Sequence, residues 1–333
     1  MGDLIHALPA LTDAKKAFPN ISFDWVVEKN FSEIPAWHPA VKNIIPTSHR
    51  KWKKNIFQSL QNGDIKNFIT TLRNEKYDLI IDGQSSIKSA VVTGLAKGIR
   101  VGLAKDSVRE WGAHLFYQRK INIAKDIHAI KRLRLLFAKA LNYPFVDNDP
   151  DYGLTNYPFA DLKFALPKNY LVFVHNASWN TKLWLESYWQ HLIKFADEAN
   201  LEVLLSWGNA QEKERAIRLA EGQKNAHVLP FCSLAEQAKI LQGAKAALCC
   251  DTGLAHLAAA LNAPAITLYG STDPKLIGTI GLHQQHAVSP FPCVKCYQHQ
   301  CNYEDKSHPE AVCMAAIKPE MIWEDLRKIL TSL

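Results

Sequence analysis

Short unbroken apolar runs recur along this chain, separated by stretches whose apolar residues return with helical period. Apolar positions Leu4, Ile5, Leu8, Leu11 and Ala14 predict a helix straight after Met1-Gly2-Asp3, with Pro9 early enough for one lost amide to be tolerable. Phe23–Val27 reads as a strand, Phe31–Ile34 as a helical turn, Ile44–Ile45 as a short strand and Tyr77–Asp82 as a buried strand ending at Gly83. A helix over Ser86–Lys97, strands Val101–Leu103 and Ile121–Ile123, and a helix over Ala124–Leu141 follow. After Asp147–Pro167, rich in Asp, Asn and Pro, the alternation resumes: strand Tyr170–His175, helix Leu185–Asn200, strand Val203–Trp207, helix Gln211–Glu221, strand His227–Leu229 and helix Leu234–Gln242. Strand Ala246–Cys250, turn Asp251-Thr252-Gly253, helix Leu254–Leu261 and strand Ala265–Tyr269 come next, and Pro319–Leu333 is a C-terminal helix.

Strands alternating with helices predict doubly wound α/β domains. The aperiodic stretch marks their junction, giving residues 1–150, a linker over 151–167, a second domain over 168–318 and a closing helix over 319–333 that could return to the first domain. The second domain opens with its own strand, Tyr170–His175, whereas the first begins in a loop and helix. The first strand of domain 1 is therefore expected to lie upstream of Met1, which makes Met1 an internal methionine of a longer chain.

Composition narrows the class. A length of 333 residues suits two domains of about 150 each, and 47% hydrophobic with 21% charged residues is ordinary for a globular protein. No apolar run approaches the roughly 18–20 residues of a transmembrane segment, and the N-terminus has no secretory pattern. Seven cysteines are too few for a disulfide scaffold, so a cytoplasmic location is expected. The net charge of +7 sits in one half: 23 Lys and Arg face 15 Asp and Glu in residues 1–160, against 16 and 17 in residues 161–333. With no nucleic-acid motif beside it, this excess points to an anionic substrate or membrane surface.

The stretch C-D-T-G-L-A-H-L-A-A-A-L-N-A-P, Cys250 to Pro264, carries the candidate chemistry. Thr252 and Gly253 open a helix, where unpaired amides and the positive end of the macrodipole welcome an anion. Gly253 permits close approach, and His256 one turn on could add a donor. An ordinary capped helix explains Asp251 and Thr252 equally well from local physics alone.

This D-T-G-L-A-H motif resembles the donor-binding motif of bacterial lipopolysaccharide heptosyltransferases, glycosyltransferases of the GT-B kind. The similarity runs along almost the whole chain, through M-G-D-L-I-H-A-L-P-A-L-T-D-A, H-A-I-K-R-L-R-L-L-F-A-K-A-L-N-Y and K-L-W-L-E-S-Y-W. Phe23–Val41 is similar to the heptosyltransferase I branch, which adds the first heptose of the inner core. Leu185 stands where the family usually has Pro, a change at a helix start. The resemblance implies two Rossmann-like domains facing a central cleft, the first for the acceptor and the second for ADP-heptose. It also implies inverting transfer of L-glycero-D-manno-heptose to Kdo of Kdo-lipid A, without cofactor or metal, by a peripheral protein on the inner face of the inner membrane.

Residue by residue, the resemblance makes Asp3 the general base and Lys182 the diphosphate cation, with Ser178 as a nearby hydroxyl donor. Glu212 would hold the ribose, with Glu214 its near rival, and the Cys232 backbone would meet the adenine. Asp251, Thr252, Gly253 and His256 would meet pyrophosphate and heptose. Without the resemblance, Asp3 reads as a helix cap, Lys182 as a solvated loop charge and Glu212 as part of a solvated helix face. Arg50, Lys51, Lys53 and Lys54 crowd around Trp52, and with Arg109 they suit the carboxylates and phosphates of the lipid acceptor, Trp52 suiting its interface. Cys293, Cys296, Cys301 and Cys313, interleaved with His299 and His308, have spacing that permits a small zinc site or free thiols. Rival functions are heptosyltransferase II or a relative with another core acceptor, and a non-catalytic nucleotide-binding protein. The lack of any G-x-G-x-x-G after a strand argues against a dinucleotide oxidoreductase.

Overall fold

The computed structural model describes residues 1–303 and 311–332, apart from the side chains of Arg50, Lys53, Lys54, Ile56 and Leu60. The chain divides into two compact units between Leu154 and Thr155.

In the first unit the helix Gly2–Ala17 buries Ile5, Leu8, Leu11 and Ala14. It runs through Pro9 near its middle, where one carbonyl must go without its helical amide; the expectation of an early proline was wrong. Strands β1 (Phe23–Glu28) and β2 (Val41–Thr47) pair in parallel, and β3 (Lys76–Ile81), β4 (Lys97–Leu103) and β5 (Arg119–Ile121) form a second parallel sheet. Two separate sheets thus stand where a doubly wound domain ordinarily has one. The cluster of Ala10, Leu11, Ala40 and Phe137 packs against side chains of both, Trp25 from β1 and Ile81 from β3 among them. Tyr77 of β3 also donates to Asp24 of β1 at 3.1 Å.

The helix Ala129–Leu141 begins later than its apolar pattern suggested, because His128 caps it by accepting from the Ile130 amide. Its Arg134 is buried and ion-paired to Asp13 at 2.6 Å, and it also donates to the Asn148 and Val146 carbonyls. This one guanidinium fastens the first helix, the long helix and the chain leaving it. A buried cation with all its partners is tolerable; one stripped of them is not.

The second unit holds one six-stranded parallel sheet: β6 (Tyr170–Val174), β7 (Glu202–Leu205), β8 (Ala226–Val228), β9 (Ala246–Cys250), β10 (Ala265–Tyr269) and β11 (Gln284–Val288) in the order β11-β10-β9-β6-β7-β8. Strands β6, β9 and β10 are buried throughout, which is why their sequences are unbroken apolar runs. The strand order reverses between β6 and β9, in register Leu171↔Ala246 to Val174↔Cys249. Open α/β sheets bind ligands beyond the carboxyl ends of their strands at such a switch point.

Phe173, Trp184 and Trp189 centre the core beneath this sheet. The Trp184 indole donates to the Ile317 carbonyl at 2.9 Å. The C-terminal helix Pro319–Ser332 buries Ile322, Leu326 and Ile329 in that same core and stacks Trp323 on Phe195. The sequence reading let this helix return to the first domain; its apolar stripe is instead used within the second unit.

Candidate active site

The two loops flanking the switch point carry the site. After β6 the chain passes Asn176 and Ser178 and makes a single turn, Asn180–Lys182. After β9 it turns at Asp251 and Thr252 into the helix Gly253–Ala260. Lys182 Nζ donates to Asp251 Oδ2 at 2.7 Å, and the two side chains are only 13% and 4% exposed. The Thr272 hydroxyl, from the loop after β10, donates to the same oxygen at 2.6 Å. His256 Nε2 stands 3.9 Å from Asp251 Oδ1. The loops after three neighbouring strands of one sheet therefore converge on a single buried carboxylate, which holds the cation. A positioned ammonium beside the open end of a helix suits a diphosphate, because charge developing on a leaving group meets dipoles already aimed at it.

Lys182 has further support. Its ammonium lies 4.4 Å from the centre of the Trp179 ring, and His299 is stacked with Trp179 at 4.1 Å. Thr181 donates to the Gln298 carbonyl at 2.6 Å. The same strand of chain is tied to the β10 loop by Lys295 N to Gly270 O and Tyr297 N to Ser271 O, both 2.8 Å, and by the Lys295–Asp273 ion pair at 3.2 Å. Residues 295–299 thus brace the Lys182 loop against the Thr272 loop. Sequence reasoning missed Thr272, Trp179 and His299. Thr272 was within reach, since the G-S-T-D-P loop follows an evident strand of the same sheet.

Other expected donor residues are placed less directly. Ser178 is exposed on the Lys182 loop. The helix Ala210–Ala220 is capped by Asn209, whose side chain accepts from the Glu212 amide, while Glu212 Oε2 accepts from the Gly208 amide at 2.7 Å. One carboxylate oxygen of Glu212 therefore holds the turn after β7, a structural task the sequence reading did not foresee; Glu214 is exposed. Cys232 is buried, its thiol donating to the Pro230 carbonyl at 3.3 Å and pushed up to about 11 by burial. A thiol so buried and raised is a poor nucleophile.

In the first unit Asp3 and Arg109 meet in an exposed ion pair at 3.1 Å. The loop bearing Arg109 is tied to the chain after β3, the Glu110 amide donating to the Ser85 carbonyl at 3.2 Å. Buried Asp82, at the end of β3, accepts from the Gln84 and Ser85 amides and from the Tyr117 hydroxyl at 2.7 Å, and burial beside that carboxylate raises the Tyr117 phenol far above its ordinary range. The basic cluster forms a helix, His49–Lys54, in which Lys51 pairs with Asp64 at 2.9 Å. The side chains of Arg50, Lys53 and Lys54 lie outside the described ones. Trp52 corrects an expectation: it packs on Phe68 at 5.3 Å among Val26 and Ile45, half-buried, and serves the core of the unit rather than an interface.

For four cysteines the sequence left a small zinc site and free thiols both open. Among the described residues no three His, Cys, Asp or Glu side chains gather to hold a metal ion. Cys293, Cys296 and Cys301 are exposed free thiols and Cys313 is a buried one, pushed up to about 11 chiefly by burial and then by the nearby Cys293, Cys301 and Cys296. His308 lies outside the described residues.

Known proteins match this arrangement. Residues 65–307 fit the model of glycosyltransferase family 9 (heptosyltransferase). A lipopolysaccharide heptosyltransferase 1 of Pseudomonas aeruginosa is 45% identical, over 99% of this chain and 95% of that protein. One from Escherichia coli K12 is 45% identical, over 87% of this chain and 91% of its own. The solved E. coli heptosyltransferase WaaC with ADP superposes with a TM-score of 0.87 at 39% identity, covering 99% of this chain and 97% of that one. The same enzyme solved with ADP-2-deoxy-2-fluoro heptose gives a TM-score of 0.83 at 38% identity, covering 98% and 96%. These matches bear out the two Rossmann-like domains of GT-B kind and the expected glycosyltransferase class: the chain belongs to glycosyltransferase family 9, the heptosyltransferases.

Proposed function

We propose that this enzyme transfers L-glycero-D-manno-heptose, with inversion, from ADP-heptose to Kdo of Kdo-lipid A. The observation that carries the donor half is the buried Lys182–Asp251–Thr272 cluster at the switch point of the second unit's sheet. The relatives named lipopolysaccharide heptosyltransferase 1 and the WaaC structure holding an ADP-heptose analogue support the same donor.

The chemistry is a single displacement. An acceptor hydroxyl oxygen bonds to the anomeric carbon as the bond from that carbon to the diphosphate breaks. The hydroxyl proton passes to the Asp3 carboxylate, and ADP departs with the electron pair. Lys182 and the amides at Thr252 and Gly253 take up the charge that grows on the diphosphate. Asp251 holds Lys182 in place and offers its remaining oxygen to heptose hydroxyls, with His256 beside it. Ser178 adds a hydroxyl donor, Glu212 its second oxygen to the ribose, and the Cys232 backbone meets the adenine. Arg109 keeps the Asp3 carboxylate turned outward and, with Arg50, Lys51, Lys53 and Lys54, receives the acceptor's anionic groups.

The acceptor is a lipid, so the enzyme works at the cytoplasmic face of the inner membrane as a peripheral protein. Among the described residues no helix is long and apolar enough to cross a membrane. Acceptor-dependent ADP release from purified ADP-heptose and Kdo-lipid A tests the whole proposal. ADP release that ignores the acceptor, or none at all, would refute it.

A further inference from the structure

The first unit carries an apolar patch that its own fold leaves uncovered. On the helix Ile87–Leu95, Ile87 and Val91 stand one turn apart and are 40% and 42% exposed, while Ala90, Val92 and Thr93 face inward. Beside this helix, Trp111 is 76% and Leu115 67% exposed. The two elements touch. The Glu110 carboxylate accepts from the Ile87 amide at 2.8 Å, a Cβ on Gly112 would lie 3.4 Å from Ile87 Cδ1, and one on Gly94 would lie 3.0 Å from the Phe116 ring. Ile87, Val91, Trp111 and Leu115 therefore form one surface, and adjoining exposed side chains of this size mark an interaction site.

The charges around it select the partner. Lys88 sits between Ile87 and Val91 in the chain and Arg109 two residues before Trp111, both exposed. Lys88 is near enough to His49 to help hold that imidazole below its ordinary value, although burial is the larger cause, so the basic helix His49–Lys54 is a neighbour. Of the acids nearby, Glu110 is engaged at the helix start, Asp106 is exposed, and Asp3 pairs with Arg109 at 3.1 Å through one of its guanidinium nitrogens. All of the chain's positive excess lies in this half. A Trp and aliphatic residues rimmed by Lys and Arg match the interface of an anionic bilayer, where an indole sits at headgroup level and cations meet phosphates.

We propose that Ile87, Val91, Trp111 and Leu115 are the face by which this enzyme docks on an anionic membrane, with Lys88 and Arg109 against lipid phosphates. The inference rests on the lipid acceptor proposed above and names the surface that reaches it. It also moves the interfacial aromatic from Trp52, which is packed inside, to Trp111.

The test is co-sedimentation with phosphatidylethanolamine–phosphatidylglycerol vesicles, which needs no substrate and so stands apart from the turnover assay. Trp111→Ser combined with Leu115→Ser should lower partitioning about tenfold or more, because membrane binding scales with buried apolar area. Trp111→Leu should keep most of it. The double variant should melt like the parent and turn over a deacylated, water-soluble acceptor at the parental rate. Unchanged partitioning of the double variant overturns the proposal. So does a parent that is dimeric in sedimentation equilibrium and a double variant that is monomeric but still binds vesicles, since the face would then belong to a second copy.

Discussion

Removing the Lys182 ammonium should harm this enzyme twice, and the two harms can be separated. Lys182→Met leaves the Asp251 carboxylate 4% exposed with Thr272 as its remaining close donor. Breaking a buried pair from one side costs about 3–5 kcal/mol. The lower end applies here, because Thr272 still donates and Lys182 was not fully dry. About 3 kcal/mol in a unit of this size lowers the melting temperature by about 6–12 °C. Asp251→Asn should cost less, since the long Lys182 chain can swing its charge into water. The combined variant should be more stable than the sum of the single losses predicts, with a coupling of about 1–3 kcal/mol. Binding adds a second readout. ADP lacks the heptose, so its affinity reports the charges near the diphosphate and not the heptose contacts. Lys182→Met leaves a bare carboxylate near two phosphates and should weaken ADP about tenfold or more, at 1.4 kcal/mol per tenfold. Adding Asp251→Asn should recover part of that affinity although it removes a second wild-type group. Urea unfolding of the four proteins and calorimetric ADP titration measure both effects. Additivity within about 0.5 kcal/mol in stability would show that the pair does not form. A double variant that binds ADP more weakly than Lys182→Met would refute the electrostatic account.

His175 is buried and held down to about 3, chiefly by burial and then by the Arg215 charge. The unfolded chain binds a proton near pH 6.5 that the folded chain refuses, so stability is complete above 6.5 and falls as pH drops toward 3, by up to about 1.4 kcal/mol per unit. Urea midpoints of the second unit between pH 7 and 5 should fall accordingly, and His175→Asn should flatten the slope; an unaltered slope would rule His175 out as its source. Asp3→Asn should leave ADP affinity intact and cut turnover by about 10²–10⁴-fold, whereas parental turnover would reduce Asp3 to a residue that merely starts a helix. His299→Ala removes the ring stacked with Trp179 and should raise the Michaelis constant for ADP-heptose about 2- to 10-fold with little change in kcat, the range of one aromatic pair. His299→Phe should restore it, and failure of that rescue would mean the stack does not position Lys182.

What could be read from the chain follows from how each element is buried. Strands β6, β9 and β10 are covered on both faces, so their residues form unbroken apolar runs, and β9 and β10 begin and end where the pattern placed them. Strand β11 lies at the sheet edge with Gln284, Gln285 and His286 in its sequence, half-exposed, and had no such signal. The helices His49–Lys54, Ile56–Gln61 and Asp64–Leu72 escaped notice because a cluster of cations dominated that stretch; in the last of them only Phe68 and Leu72 are buried. Trp52 was assigned by its charged neighbours in sequence, whereas its surroundings are set by Phe68, Val26 and Ile45, which only the fold brings near.

The site divides in the same way. That Lys182 and Asp251 each follow a strand was visible in the sequence, but their contact spans 69 positions and exists only because β6 pairs with β9. With the strand order known, the meeting of those two loops follows from topology, since they flank the one place where the order reverses. Glu212 shows where topology stops. It too follows a strand of this sheet, β7, and by position alone it ranks with Asp251 as a carboxylate aimed at the donor. Distances part them: one Glu212 oxygen is bound to the Gly208 amide, while Asp251 is gripped by a cation and a hydroxyl from two other loops. A carboxylate that holds its own turn can lend a donor only its second oxygen. A carboxylate that fixes the cation governs where the diphosphate settles, so Asp251 sets the geometry of the donor and Glu212 adjusts to it.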